Sequence, residues 1–198
     1  MKLAESLVLV EFVADIFPEA NLIPKDPVLR AQARFFIEVV SSKFVPALQK
    51  FLGRGEGYED LLTAAEAIQN ILPASGSYAV GDQYTIADIA ITSFLARLKV
   101  ASANEIGNFA VGQGSELLKA LSGEKYAKFH AYVGRLLDRE SFRATFDEVR
   151  SFPPVGRPHQ LSSIERCGHV GIHQSRLCEA VCSSIVSDEV PGSRRGRQ

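Results

Sequence analysis

Apolar side chains recur at helical spacing along residues 1–150, and no useful stretch alternates between apolar and polar residues as a strand does. In the clearest run, Asp26 can cap a helix that has Pro27 in its first position, where a missing N–H group costs nothing. This helix is expected to kink at Pro46 and to end at the glycines of residues 53–57. The pattern predicts an all-α helical bundle, with further helices at residues 3–17, 58–72, 85–101, 114–121, 124–137 and 141–149.

Residues 81–90 specify one helix start in detail. Thr85 can accept a hydrogen bond from the backbone N–H of Asp88, whose carboxylate can reach back to the N–H of Thr85, as in a capping box. Tyr84 and Ile89 flank this box and can pack together as a hydrophobic staple. A capping box by itself marks only a helix N-terminus, so our interpretation of this segment is structural.

The first predicted helix is apolar around most of its circumference. Glu11, Asp15 and Glu19 are four residues apart and form a narrow polar stripe, whereas most other positions from Leu7 to Phe17 are apolar. A helix of this kind normally has packed neighbours on several sides. If part of it stays uncovered, we expect the chain to associate or aggregate.

The segment from Ser151 to the C-terminus differs in composition from the rest. It contains all three cysteines, has arginine but no lysine, and carries few large apolar side chains. Such a segment cannot bury enough apolar surface to offset the entropy of ordering, so we expect residues 151–198 to be disordered. A shifted reading frame in the gene model would produce the same abrupt change.

The thiols and imidazoles of this tail could also be considered as zinc ligands. Their spacing matches no zinc module, so we predict no metal site; the residues concerned are Cys167, His169, His173, Cys178 and Cys182.

The overall charge and hydropathy exclude some classes of partner. The formal net charge is −1, so no strong positive field favours nucleic acid or an anionic membrane surface. No apolar run reaches the roughly 18 residues of a membrane-spanning helix. The N-terminus also lacks the basic region and cleavage site of a signal peptide. We therefore expect a cytoplasmic protein.

Several motifs, taken in order, resemble the glutathione S-transferase family. Residues 81–90 resemble the helix-starting signature of its C-terminal domain, and Phe142 to Phe146 are similar to the terminal helix of fungal omega-like members. The resemblance covers residues 3–150. It implies that residues 21–150 form a helical bundle of the family's C-terminal type. Residues 1–20 would then be the last helix of a thioredoxin-like domain. The other matching segments are Glu5-Ser6 and residues 17–19, 22–27 and 30–34.

The resemblance implies a role for Glu5 and Ser6 in binding glutathione. The family has an acidic residue followed by Ser at this position, and the pair binds the γ-glutamyl end of glutathione. Glu5 can pair with the α-ammonium group, while the Ser6 hydroxyl and a helix N-terminal N–H can receive the carboxylate. Without the resemblance, both would be interpreted simply as suitable residues for a first helical turn.

The same resemblance implies no catalytic residue in this sequence. In the family, the activating Cys, Ser or Tyr and a cis-proline precede the position of Glu5, and only four residues precede it here. We therefore expect the catalytic half to be absent from this chain, which would not catalyse the reaction alone. The alternative is a non-enzymatic helical binding or scaffolding module, or a truncated gene product.

Further expectations concern ligands and assembly. By resemblance, the intact family conjugates glutathione to small electrophiles or transfers thiols, binds apolar ligands, and can form homodimers. Phe35, Phe36, Val39 and Lys43 are candidates for an acceptor pocket. Aromatic residues at helical spacing are more often core, so these four are not assigned as site residues.

Overall fold

The computed structural model describes residues 4–146, which form a bundle of α-helices and confirm the predicted all-α fold. The predicted disorder of residues 151–198, the cysteines and residues 147–149 of the last predicted helix lie outside the described residues. The α-helices are α1 (Ser6–Ile16), α2 (Pro27–Val39), α3 (Val45–Gln49), α4 (Glu59–Ile71), α5 (Ile86–Ala103), α6 (Gln113–Leu121), α7 (Ala127–Leu137) and α8 (Glu140–Thr145).

The chain is helical from Pro27 to Arg54, with two π-helical turns inside this range. Asp26 caps α2 as predicted, accepting hydrogen bonds from the N–H groups of the second and third helical residues at 2.6 and 3.2 Å. The first π-helical turn directly precedes α3, in which Pro46 has no N–H to donate to the preceding turn. The helix ends where Gly55 adopts a φ of 71°, as the glycine-rich stretch predicted.

Helix α5 occupies the centre of the bundle. Of its 18 residues, 13 are buried, and it packs against α1, α2, α6 and α7. The main core includes large aromatic side chains from α2, the π-helical turns and α7, among them Phe36, Phe51 and Tyr132. This arrangement explains why α5 is apolar on nearly all sides rather than along a single stripe.

The predicted capping box at the start of α5 is present. Asp88 accepts from the backbone N–H of Thr85 at 2.9 Å, and the Thr85 side chain caps the first turn. Asp88 also accepts from the N–H of Ala79 and from the hydroxyl of Tyr132, both at 2.9 Å. The sequence predicted only the local half of this network, which in the structure also joins the 77–84 loop to α7.

A second carboxylate organises the start of α6. Glu105, at a φ of 52°, accepts hydrogen bonds from the N–H of Gly112 at 3.0 Å and from the N–H and hydroxyl of Ser115 at 3.1 Å each. These hydrogen bonds, that from Gly112 first, lower the pKa of the Glu105 carboxyl below its ordinary value. The negative charge therefore lies where the unpaired N–H groups and the dipole of α6 favour it.

We expect Glu105→Gln to destabilise the protein at neutral pH. A carboxyl with a lowered folded-state pKa contributes stability above its unfolded-state pKa, which is lost as the pH falls through the folded-state value. The stability difference between wild type and Glu105→Gln should therefore shrink as the pH is lowered below about 4.5. Urea unfolding across an acid pH series measures it, with Glu124→Gln, an exposed residue, as control. A stability difference between wild type and Glu105→Gln that does not change with pH would contradict the lowered pKa of Glu105.

Helix α1 packs on one side only within the described residues. Its Val10 and Ala14 form a small cluster with Leu22, Ile86 and Ile89, separate from the main core. Its opposite side leaves Val8, Phe12 and Ile16 exposed by 51, 46 and 51%. We call these three residues the α1 stripe. Within residues 4–146, α1 therefore lacks the packed neighbours on several sides that its sequence predicts.

Within the same residues, no helix combines the length and the apolar character needed to cross a membrane.

Candidate functional site

The structure places Glu5 and Ser6 together at the N-terminus of α1. Ser6 is the first helical residue and is partly buried, whereas Glu5 precedes the helix and is exposed. No side chain of the described residues caps this end of the helix. Its first N–H groups therefore have no intrahelical acceptor and can receive an anionic group.

The backbone of Glu5 has a sparsely populated conformation, with φ 73° and ψ 115°. Asn21 also has a positive φ, but its φ of 50° and ψ of 34° lie in the ordinary left-handed helical region. A non-glycine residue at the Glu5 angles is strained, and such strain concentrates at ligand-binding and active sites. This strain, which no sequence pattern predicted, is an independent reason to consider Glu5 functional.

A pocket of about 240 Å³ opens beside this helix end, between α1, α2 and the first residue of α5. Its apolar part includes Leu7, Val10 and Ile86, and its rim carries an ion pair between Glu11 and Arg34 at 3.3 Å. The lining residues are Leu7, Val8, Val10, Glu11, Arg34, Ile37, Glu38, Ser41 and Ile86.

The sequence did not indicate this pocket. Glu11 and Arg34 are 23 positions apart, and only the tertiary fold brings them together. Ser41 reaches the rim from the first π-helical turn, and no sequence signal marks that turn apart from the nearby Pro46.

The four acceptor-pocket candidates do not converge. Phe36 and Val39 are buried in the main core, as expected for aromatic and aliphatic residues at helical spacing. Phe35 and Lys43 are exposed. None of the four lines the pocket beside α1.

The described residues offer no metal site. No group of three or more His, Cys, Asp or Glu side chains within residues 4–146 could hold a metal ion. The Cys and His residues considered as zinc ligands lie outside this part of the chain.

Comparisons with known proteins agree with the fold and with the family resemblance. Residues 45–135 match the family profile "Glutathione S-transferase, C-terminal domain". A probable glutathione S-transferase of Nicotiana tabacum is 29% identical over 133 residues, which are 64% of this chain and 53% of that protein. The chain thus spans about half the length of this curated relative.

Two solved structures from Trametes versicolor are also similar. Glutathione transferase Omega 1C is 53% identical, with a TM-score of 0.72 over 76% of this chain and 63% of its own. Glutathione transferase Omega 2S, solved in complex with 2,4-dihydroxybenzophenone, is 38% identical, with a TM-score of 0.68 over 73% of this chain and 62% of its own.

Proposed function

Because the chain belongs to the glutathione S-transferase family and carries its C-terminal helical domain, we propose that Glu5 and Ser6 hold the γ-glutamyl end of glutathione. The observation that most directly supports this proposal is the strained backbone of Glu5 at an uncapped helix N-terminus. In this proposal, the Glu5 carboxylate pairs with the α-ammonium group of glutathione. The Ser6 hydroxyl and the first N–H groups of α1 receive its α-carboxylate.

The proposed activity is glutathione-dependent conjugation or thiol transfer on small electrophiles in the cytoplasm. A thiol or hydroxyl that activates the glutathione sulfur is part of this chemistry, and we assign it to no residue of the described chain. The likeness to omega transferases favours thiol transfer, and the ligand of Omega 2S supports aromatic acceptors or ligands. We further propose that residues 1–20 end a thioredoxin-like domain, that residues 21–150 form the helical domain, and that the protein forms a homodimer.

One observation favours a second function, a non-enzymatic helical binding module. The α1 stripe presents three large apolar side chains on one exposed side of a helix. Such a surface suits contact with another protein surface rather than chemistry on a small molecule.

Titration calorimetry of glutathione into the full chain tests the first proposal. We expect saturable binding that a Glu5→Ala, Ser6→Ala double variant weakens by roughly 10- to 100-fold, because hydrogen bonds to charged groups contribute about 1.5–3 kcal/mol. Glu19→Ala, Ser122→Ala is a matched control, since both residues are exposed and lie in other segments. Cysteinylglycine, which lacks the γ-glutamyl group, should bind wild type and double variant equally.

Two results would contradict the glutathione site. One is the absence of binding in a sample that circular dichroism shows to be helical. The other is equal affinity of wild type and the double variant for glutathione. Either result would leave the binding-module function as the better proposal.

A further inference from the structure

The α1 stripe is an apolar surface that the described residues leave half exposed. Its three side chains are spaced four residues apart, so they follow one side of the helix. Asp15, three residues after Phe12, lies beside them and forms no ion pair within residues 4–146. A segment that covers this side of α1 therefore needs apolar side chains at the same spacing and a positive charge close to them.

The tail, residues 151–198, contains one segment with these properties. Three aliphatic residues spaced four apart occur only once in it: Leu177, Val181 and Ile185. Arg176 directly precedes them. Arginines outnumber acidic residues in the tail, whereas acidic residues outnumber basic ones in the rest of the chain, so the two parts have complementary charge. We call residues 177–186 the tail segment.

The described chain approaches α1 shortly before it ends. Arg139 directly precedes α8, and its guanidinium carbon lies 3.8 Å from the centre of the Tyr84 ring. Tyr84 in turn packs against the cluster that contains Val10 and Ala14 of α1. The tail segment begins 31 positions after Phe146, and an unstructured chain of that length spans roughly 30 Å on average. A helix is only about 10–12 Å wide, so the tail segment can reach the opposite side of α1.

We propose that the tail segment binds along the α1 stripe of its own chain, with its three aliphatic side chains on the stripe and Arg176 near Asp15. The segment orders only on binding, because the tail cannot form a core by itself. So few contacts give a dissociation constant of about 1 mM, and the linker gives an effective concentration of the same order. The stripe is therefore covered in about half of the molecules.

The consequence is a competition for one surface. A second copy of the chain can bind the α1 stripe only while the tail segment has left it, so the tail limits self-association without abolishing it. The interaction uses neither Glu5 nor Ser6, so it does not rest on the proposed glutathione site.

Sedimentation velocity of full-chain variants tests this competition. The tail variant carries Leu177→Lys, Val181→Lys and Ile185→Lys, which remove the cover and leave α1 unchanged. When association requires a free stripe on both copies, freeing all stripes instead of half of them lowers the dissociation constant of the assembly about four-fold. The control variant has the same change of charge at other aliphatic positions of the tail and should associate as wild type does: Val155→Lys, Leu161→Lys and Ile172→Lys.

A labelled peptide with the sequence of residues 174–188 locates the binding surface. Under reducing conditions, fluorescence anisotropy should show that it binds the tail variant with a Kd of about 1 mM. Adding Val8→Lys, Phe12→Lys and Ile16→Lys to that variant should raise the Kd at least about ten-fold, in a sample that circular dichroism shows to be helical. Absence of peptide binding, or equal binding to both proteins, overturns the proposal. Equal self-association of the tail variant and its control also overturns it, and would leave the stripe to a second copy alone.

Discussion

Replacing Asp88 with Ala is expected to lower the free energy of unfolding by about 3–5 kcal/mol. Asp88 is fully buried and accepts hydrogen bonds from Ala79, Thr85 and Tyr132. Its removal leaves buried N–H groups and the Tyr132 hydroxyl without this acceptor, and each such loss costs about 1–3 kcal/mol. It also disconnects the 77–84 loop and α7 from the start of α5, so the effect extends beyond a single helix cap.

Urea unfolding followed by circular dichroism measures this change. Tyr132→Phe removes one donor from the same carboxylate and should cost about 1–2 kcal/mol. Asp138→Ala is the matched control, because Asp138 is exposed at the end of α7, and it should change stability by less than about 0.5 kcal/mol. An Asp88→Ala variant within 1 kcal/mol of wild type would show that the network contributes little.

The pKa of Asp88 adds a pH dependence with a definite sign. Burial raises the pKa of this carboxyl above its ordinary value of 3.8, and hydrogen bonds from Ala79, Thr85 and Tyr132 only partly oppose the rise. The folded state therefore binds a proton at Asp88 more tightly than the unfolded state does. As the pH falls through the raised pKa towards 3.8, the stability difference between wild type and Asp88→Ala should widen. This is the opposite of the trend expected for Glu105.

The second large effect concerns the α1 stripe, through which we expect the wild-type chain to self-associate. Val8, Phe12 and Ile16 lie on one side of α1, each about half exposed. Replacing all three with Lys removes about 3 kcal/mol of apolar contact, roughly 1 kcal/mol for each half-exposed side chain. The dissociation constant of the assembly should therefore rise about 100-fold, with a shift towards monomer.

Sedimentation velocity over a concentration series measures this shift. Val111→Lys is the control, because Val111 is 95% exposed but lies outside the stripe, before α6. It should leave the distribution of species unchanged. A wild-type chain that sediments as a single stable monomer at every concentration would contradict the prediction, as would equal behaviour of the triple variant and wild type.

The sequence by itself determined the local structure of this protein. Helix period, the Asp26–Pro27 start, the Thr85–Asp88 box and the glycines after α3 depend on interactions within a few residues, and the structure contains all of them. The family resemblance followed from the order of such motifs, and the comparisons support it. The roles of Glu5 and Ser6 in binding glutathione stay predictions.

Only the tertiary structure decided which distant groups meet. Asp88 and Tyr132 are 44 positions apart, and Glu11 and Arg34 are 23 apart, so neither contact leaves a periodic signal in the sequence. The pocket beside α1 and the uncovered α1 stripe likewise depend on how the helices pack. The physical reason is that capping and helix period are set by short-range backbone hydrogen bonding, whereas burial and pocket shape result from side chains of different helices competing for the same space.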